Sequence, residues 1–190
     1  MNTPNRNILS FRRRDLIAAL ILGVAAGVIA SVTERVDAIL TVGNATPTGY
    51  INTYTWLIVS ATLFGPVGAI ITTETQAIIG LITFANPLSW LWPFINLVFA
   101  LGVGLVSIVL SKLKKNPSLS IKIILMSFVC AVLDIPLVYV VIVTVLGLPL
   151  PVYIVALPVY IALQLIPSTV ISHIVTKAIL RSNILGSSRN

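Results

Sequence analysis

The sequence predicts an all-α integral membrane protein, in which six transmembrane helices form a compact bundle and both termini lie in the cytoplasm. Composition gives the class: hydrophobic residues make up 57% of the 190 residues and charged residues only 9%, whereas about a quarter of the residues in a soluble domain are charged. The charges are confined to the ends of the chain, one internal stretch and a few single positions, so nearly all of the chain between them can lie in the membrane. We therefore predict one membrane domain over residues 1–190.

Six apolar runs are candidates for spans, since a bilayer core of about 30 Å requires about 20 apolar helical residues. The runs cover residues 16–32, 51–64, 67–84, 91–110, 121–146 and 152–180. Gly65 and Pro66 separate the second run from the third, and such a pair breaks a helix and lets a new one start with proline in its first turn. A single helix across both runs is the alternative, but at about 1.5 Å per residue it would be far longer than the membrane is thick.

Lys and Arg orient these spans, because basic residues are enriched on the cytoplasmic side. With both termini inside, eleven of the twelve basic residues are cytoplasmic: Arg6, Arg12, Arg13, Arg14, Lys112, Lys114, Lys115, Lys122, Lys177, Arg181 and Arg189. They occupy a basic N-terminal segment (1–15), a loop (111–120), a C-terminal tail (181–190) and the helix ends beside them. The net charge of +7 then reflects topology and attraction to anionic membrane lipid. Nucleic-acid binding is not expected, because it would require a basic patch with interleaved aromatic rings.

The remaining basic residue, Arg35, lies in a predicted outer loop at residues 33–50, which is rich in Gly, Thr and Asn. Long loops in compact proteins are often functional, and this one is placed to close over an outward-facing cavity. The tryptophans and tyrosines all fall in the outer half of the predicted bundle, whereas an interfacial belt normally occupies both surfaces. We assign part of this set to the belt and part to a site for a flat or cationic ligand. The candidates for the site are Tyr54, Trp56, Trp92, Tyr139 and Tyr160.

Two acidic residues lie deep within predicted spans. Counting from the inner helix ends at about 1.5 Å per residue places Glu74 roughly 12 Å and Asp134 roughly 18 Å into the membrane. An unpaired carboxylate at such depth costs about 2.5 to 3.5 kcal/mol, so a ligand-binding role is the default expectation. Glu74 is the stronger candidate, because the successive polar residues 72–76 sweep more than a full helical turn and cannot all face one partner. Asp134, near Pro136, is equally well explained by hydrogen bonds that lock the bundle.

Amide side chains complete the set of polar candidates: Gln76, Asn96 and Gln164 are predicted to bind ligand, with hydrogen bonding between helices as the alternative. No metal or cofactor is expected, because the chain has one histidine, His173, and one cysteine, Cys130. No catalysis is expected either, since no Ser, His and Asp set is arranged for it. The sequence also has no G-x-x-x-x-G-K-[ST] stretch for ATP. A bundle of this kind would bind a ligand but need a partner to power transport.

Small residues recur every four positions along the first predicted span, at Ala19, Gly23 and Gly27 and, on an adjacent face, at Ala26 and Ala30. Such rows let helix backbones approach closely in lipid. They predict a docking surface for a partner helix, and packing within the bundle itself is an equally good explanation.

Taken together, these residues resemble the substrate-binding S component of an energy-coupling factor transporter. The resemblance is architectural and covers the whole chain: six spans, both ends inside, a small-residue first helix, a long first outer loop and ligand-suited residues in the outer half. In that family an A-x-x-x-A row in the first helix docks a transmembrane coupling subunit, which two cytoplasmic ATPases drive. The corresponding row here is Ala19 with Gly23, whereas the exact motif, Ala26 to Ala30, lies deeper.

The segment "AIITTETQAIIG" is similar to the third helix of the branch of this family that takes thiamine or its hydroxymethylpyrimidine precursor. The resemblance therefore implies a multi-pass protein of the cell membrane that captures a small B-vitamin-like heterocycle outside. It also implies that the ligand is released inside when the S component topples in the membrane. Riboflavin, biotin and the precursors of cobalamin and queuosine stay open as ligands.

Two other functions are compatible with the same residues. One is a small autonomous carrier or channel in which Glu74 and Asp134 form a proton relay. The other is an intramembrane enzyme that uses these two carboxylates, although no catalytic motif supports it.

Overall fold

The computed structural model describes residues 12–40, 47–83, 88–113 and 117–182, apart from the side chains of 37–40 and 47. Across these residues the chain is helical, with short connections between the helices. The helices are α1 (Arg13–Leu40), α2 (Pro47–Thr83), α3 (Trp92–Ser111), α4 (Leu119–Tyr139), α5 (Leu150–Leu163) and α6 (Thr169–Arg181). A 3-10 turn (Ser89–Leu91) precedes α3, and π-helical segments follow α4 (Val140–Val145) and α5 (Gln164–Ser168). The predicted all-α class is confirmed.

Within the described ranges, five helical stretches are long and apolar enough to cross a membrane. They are Arg13–Val36, Thr48–Thr83, Ser89–Ser111, Leu119–Val145 and Leu150–Arg181. Many large apolar side chains on these stretches are exposed, among them Ile21, Leu105 and Val155. Apolar surface of this extent is typical of faces that contact lipid. These features are consistent with a multi-pass membrane protein.

The second helix is divided by a sharp turn at Gly65. This glycine has φ 76° and ψ −163°, a conformation that is essentially restricted to glycine, and Pro66 follows it. The hydroxyl oxygens of Ser60 and Thr72 are 2.7 Å apart, whereas in a straight helix twelve residues would separate them by about 18 Å. The two halves, α2a (47–64) and α2b (66–83), therefore run antiparallel and pack against each other. The predicted break at Gly65 and Pro66 is confirmed.

The connection between α1 and α2 is shorter than the sequence predicts. Helix α1 continues to Leu40, and α2 begins at Pro47, so the segment 33–50 is helical at both ends instead of forming a loop throughout. The reason is local: no glycine or proline interrupts residues 33–40, and proline is favoured in the first turn of a helix. Residues 41–46 lie outside the described part of the chain, as do 1–11, 114–116 and 183–190 of the predicted cytoplasmic segments.

The small residues of α1 pack against α2b. A Cβ atom on Gly23 would lie 2.7 Å from the carbonyl oxygen of Thr72, and a Cβ on Gly27 would lie 2.8 Å from Ile79. The same face is tied by a hydrogen bond of 3.1 Å from Thr72 Oγ1 to the carbonyl of Ala19. Every predicted docking residue is buried: Ala19, Gly23, Ala26, Gly27 and Ala30. The structure thus assigns this row to packing within the bundle, and it is not available as the predicted docking surface.

The core lies where α2a meets α3 and α4. Leu57, Phe99 and Met126 are buried there, one from each helix, together with the ring of Tyr54. Side chains from three helices converge on this point because α2a is enclosed by α1, α2b, α3, α4 and α6 and is buried over most of its length.

The last two helices form one irregular stretch. Pro158 interrupts α5, Pro167 lies in the π-helical segment, and α6 continues from there. Proline at position 167 cannot donate to the carbonyl of Leu163, and the hydroxyl of Ser168 donates to that carbonyl at 3.1 Å instead. Helix α4 has a comparable irregularity, with Pro136 inside it and a π-helical segment after it. Prolines and π-turns of this kind commonly mark functional positions in helices.

Close packing of α1 against α2b predicts that Gly23→Ala destabilises the protein by about 1 to 3 kcal/mol, because the added methyl group meets backbone atoms that cannot rotate away. The matched control is Gly80→Ala, whose added methyl would lie at ordinary contact distance, 3.8 Å, from the Trp92 ring. Midpoints of thermal unfolding in detergent would compare the two. Equal midpoints would contradict the packing described.

Candidate ligand-binding site

A cavity lies at one end of the bundle, between the last turns of α1 and α2b and the first turns of α2a and α3. Its lining combines small residues, which leave the space open, with aromatic and polar residues that face into it. The lining residues are Ala30, Glu34, Gly49, Tyr50, Thr53, Tyr54, Gln76, Ala77, Gly80, Trp92, Ile95, Asn96 and Phe99. The opposite ends of these helices carry the turn at Gly65, so the cavity belongs to the side of the bundle away from that turn.

The cavity is small in this conformation. Its volume is about 40 Å³, and a water molecule requires about 10 to 15 Å³ by the same measure. It therefore has room for a few waters, and a heterocycle would enter only after neighbouring side chains move. Tyr50 and Trp92 are partly exposed, which makes their rings the ones that can move at the lowest cost.

Glu34 places a carboxyl group in the cavity. It is 7% exposed and continues the face of α1 that carries Ala26 and Ala30, since residues four apart lie on the same side of a helix. The C-terminal part of α1 is held against α2b by a contact of 2.8 Å between Ser31 Oγ and Thr83 Oγ1 and by Arg35, which donates to the Thr83 carbonyl at 3.1 Å. Because α1 stays helical past residue 33, this acid is buried and does not lie in a loop.

Two polar atoms of the lining have no hydrogen-bond partner among the described residues. They are the amide oxygen of Gln76 and the indole nitrogen of Trp92, and both are buried. The amide nitrogen of Gln76 donates to Thr53 Oγ1 at 2.6 Å, and this bond fixes the position of the Gln76 amide oxygen. A buried donor or acceptor without a partner costs about 1 to 3 kcal/mol. The cavity thus presents an acceptor and a donor, beside the Glu34 carboxyl group, to whatever enters it.

Aromatic rings form a continuous group along one wall. Tyr50 stacks on Tyr160 with centroids 4.6 Å apart and planes 25° apart, and Tyr54 lies 5.5 Å from Tyr50. Phe99 meets Tyr54 edge to face at 5.0 Å. Tyr50, Tyr54 and Phe99 line the cavity. Their faces carry the negative part of the ring quadrupole, which attracts flat or cationic groups.

A second polar group lies directly behind Tyr54. The Tyr54 hydroxyl donates to Asp134 Oδ1 at 3.0 Å, and the side chain of Gln164 approaches the same hydroxyl. Asp134 and Gln164 are 1% and 0% exposed. We call Tyr54, Asp134 and Gln164 the inner cluster. Of these residues only Tyr54 also lines the cavity.

Glu74 lies away from the cavity, contrary to the prediction that it borders the site. It lies on the same face of α2b as Ile78 and Ile82, which are 51% and 70% exposed, at intervals of four residues, but Glu74 itself is half-buried and its Oε1 is shielded. Gln76, two residues further along the helix, points the other way and lines the cavity. The polar segment 72–76 therefore contributes to the site through its amide and not through its carboxyl group.

The threonines beside Glu74 need no polar surroundings, because their hydroxyls bond to backbone. Thr73 Oγ1 donates to the carbonyl of Ala69 at 2.9 Å, and Thr75 Oγ1 donates to that of Ile71 at 2.7 Å. Such bonds to the residue four positions earlier are a common solution for hydroxyl groups within helices. Thr72, Thr73 and Gln76 are nevertheless buried, and Glu74 and Thr75 are half-buried, so the expectation that the polar segment 72–76 is surrounded largely by protein agrees with the structure.

The predicted site residues fall into three groups. Tyr54, Gln76, Trp92 and Asn96 line the cavity, Asp134, Gln164 and Tyr160 adjoin it, and Glu74, Trp56 and Tyr139 lie elsewhere.

Trp56 and Tyr139 have other surroundings. Trp56 Nε1 donates to Asn52 on its own helix at 2.8 Å, and Tyr139 is 42% exposed and meets Tyr153 edge to face. An exposed pair of tyrosine rings is typical of an interfacial belt.

Sequence reasoning missed Glu34, Tyr50, Thr53 and Phe99. The signal for Glu34 was available: it extends the spacing of Ala26 and Ala30 by one further turn.

The described residues contain no group of three or more His, Cys, Asp or Glu side chains that could hold a metal ion. A scan against protein-family models found no match, and searches of curated proteins and of solved structures found none either. The function is therefore inferred from the geometry of the site and from the resemblance described above.

The buried bond in the inner cluster predicts that Tyr54→Phe lowers the free energy of unfolding by about 1 to 3 kcal/mol, because Asp134 loses a donor in a dry environment. Tyr153→Phe is the control, since its hydroxyl donates to the Ile135 carbonyl at an exposed position. Unfolding by SDS, followed by circular dichroism, would measure both variants. A smaller effect of Tyr54→Phe than of Tyr153→Phe would contradict the assignment.

Proposed function

We propose that the protein is a membrane-embedded binding subunit for a small aromatic ligand that carries a positive charge or amino groups. The observation that supports this most directly is the convergence of a carboxyl group, an amide oxygen and an indole N–H among aromatic faces in one buried cavity. A carboxylate forms its strongest hydrogen bonds with charged donors, and aromatic faces favour the same class of ligand. The resemblance to S components narrows the ligand to a B-vitamin-like heterocycle, with thiamine or its hydroxymethylpyrimidine precursor favoured.

The proposed topology has six spans, with both termini in the cytoplasm. Helices α2a and α2b are each about 27 Å long at 1.5 Å per residue, close to the thickness of a bilayer core, so each half can cross the membrane separately. In this arrangement the turn at Gly65 lies on the inner side. The cavity lies at the opposite end of the same helices and therefore opens toward the exterior.

Transport would depend on partners, because the chain has no nucleotide-binding motif of the Walker type. The resemblance supplies them: a transmembrane coupling subunit and two cytoplasmic ATPase subunits, acting at the cell membrane. Because the small residues of α1 are used inside the bundle, a coupling subunit would dock on one of the outward faces. The remaining outward faces contact lipid.

A proton relay through Glu74 and Asp134 has less support. Asp134 faces the bundle interior and bonds to Tyr54, whereas Glu74 shares the outward face of Ile78. The same separation gives no paired carboxylates for an intramembrane enzyme, and we propose no catalytic role.

Ligand binding is tested with the purified protein in detergent. We expect thiamine or hydroxymethylpyrimidine at micromolar concentration to raise the unfolding midpoint, because a ligand that binds only the folded state stabilises it. Glu34→Gln should weaken binding by a factor of about 10 to 100, the range expected when a charge-assisted hydrogen bond becomes a neutral one.

Glu74→Gln is the matched control for this experiment, since it makes the same chemical change on the outward face. It should bind as tightly as the unmodified protein. If Glu74→Gln abolished binding and Glu34→Gln did not, the proposed site would be wrong.

The topology is tested by labelling single cysteines in a Cys130→Ser background, where no other cysteine is present. A membrane-impermeant maleimide should label Leu148→Cys in intact cells, and Leu113→Cys and Phe64→Cys only in inverted vesicles. Labelling of Phe64→Cys depends on the turn at Gly65 reaching the inner surface. Protection of that position from both sides would place the turn within the membrane and contradict two separate spans over α2a and α2b.

A further inference from the structure

We infer that the inner cluster is a second compartment of the binding site, and that the ligand carries a cationic or donor group at one end and a hydrogen-bond donor group at the other. One end faces Glu34 in the cavity, and the other reaches Asp134 and Gln164 behind Tyr54. The inference rests on the proposed binding function and narrows its ligand class. It concerns residues that do not line the cavity in this conformation.

The inner cluster has spare hydrogen-bonding capacity. Asp134 Oδ2, Gln164 Nε2 and Gln164 Oε1 are buried and have no hydrogen-bond partner among the residues that the structure describes. A polar network that serves only to lock helices together is normally satisfied within the protein, because each unsatisfied atom carries a desolvation cost. Here both atoms of one amide and one oxygen of a carboxyl group are unsatisfied together. They offer acceptors on two side chains and a donor on one of them.

Tyr54 lies between the cavity and the rest of the inner cluster. Its ring lines the cavity and packs edge to face on Phe99, while its hydroxyl donates to Asp134. The Tyr54 ring therefore separates the polar atoms of the cavity from those of Asp134 and Gln164. A ligand that enters the inner cluster must displace the Tyr54 ring and break its hydrogen bond to Asp134. A donor group on the ligand would replace this hydrogen bond, whereas a purely apolar group would not.

The cavity is small. With a volume of about 40 Å³ it has room for only a few waters, and a heterocycle that enters it fully must displace neighbouring side chains. A ligand must therefore create space, and the backbone around the inner cluster is irregular already. Pro136 lies two residues from Asp134, and Gln164 begins a π-helical segment that contains Pro167. Local displacement costs less where regular helix hydrogen bonds are already missing.

These observations define the ligand by its chemistry. Glu34 in the cavity and Asp134 behind Tyr54 are acceptors separated by the ring of that tyrosine. A molecule with flat rings between them would pack on Tyr50 and Phe99, place a cation or a donor beside Glu34 and donate a hydrogen bond to Asp134. A molecule that lacks either group would leave one acid without a ligand partner, and the protein would bind it less tightly.

The experiment compares three probes by isothermal titration with the purified protein. Thiamine has a cationic ring at one end and an amino group on the ring at the other. Its analogue with oxygen in place of that amino group presents a carbonyl acceptor there instead of the donor, and hydroxymethylpyrimidine lacks the cationic ring. We expect the unmodified protein to bind thiamine at least about 10-fold more tightly than either of these probes, because one loses a charge-assisted hydrogen bond to Asp134 and the other loses the attraction between the cation and Glu34.

Variants test which acidic residue contacts each end of the ligand. Asp134→Asn should weaken thiamine binding by about 10-fold or more and abolish the discrimination against the oxygen analogue, because an amide tolerates either group. Glu34→Gln should retain that discrimination while weakening both complexes. Glu74→Gln should bind all probes as the unmodified protein does.

Unchanged thiamine affinity and discrimination in Asp134→Asn, together with weakened binding in Glu34→Gln, would overturn the inner compartment but leave the proposed function intact. Failure of all three probes to bind would overturn both. If Asp134→Asn does not fold, the unmodified protein still decides the question, since equal affinities for thiamine and its oxygen analogue are incompatible with a donor-specific inner end.

Discussion

A polar group that this chain carries into the membrane is stabilised by a hydrogen-bond partner in the protein or in its ligand, because lipid offers none. Thr73 and Thr75 bond to their own helix, and Asn52 Nδ2 donates to the carbonyl of Ala26 at 3.1 Å. Among the described residues, buried polar atoms without a partner also occur singly at Thr55, Glu74 and Thr176. In this part of the chain such atoms come together only in and beside one cavity, on Gln76, Trp92, Asp134 and Gln164, and this clustering of donors and acceptors is what distinguishes the site.

The antiparallel pair α2a and α2b builds that cavity. The turn at Gly65 brings residues 53 and 76 into contact, although they are far apart along the chain, and α1 closes over the pair because Gly23 and Gly27 let it approach the α2b backbone. A Gly-Pro pair and a row of small residues thereby bring the ends of four helices together at one place. The polar and aromatic residues that the ligand would contact all lie near these ends.

The aromatic group connects the site to the irregular half of the bundle. Tyr160 on α5 stacks on Tyr50, and Tyr54 bonds to Asp134 on α4, so the cavity wall is attached to helices that contain prolines and π-turns. A ligand that moves these rings would also act on α4 and α5. In the proposed S component, this is the route by which occupancy of the cavity would be communicated to a coupling subunit.

The sequence by itself determined the helical class, the break at Gly65 and Pro66, and the types of residue in the site, because composition, helix breakers and the scarcity of buried polar groups are local properties. Only the tertiary structure decided that Glu34 and not Glu74 enters the cavity, and that the small residues of α1 pack inward. Both depend on how α1 and α2b are rotated about their axes. That rotation is set by the close contact of Gly23 and Gly27 with α2b, and a periodic pattern on one helix cannot reveal which neighbour it meets.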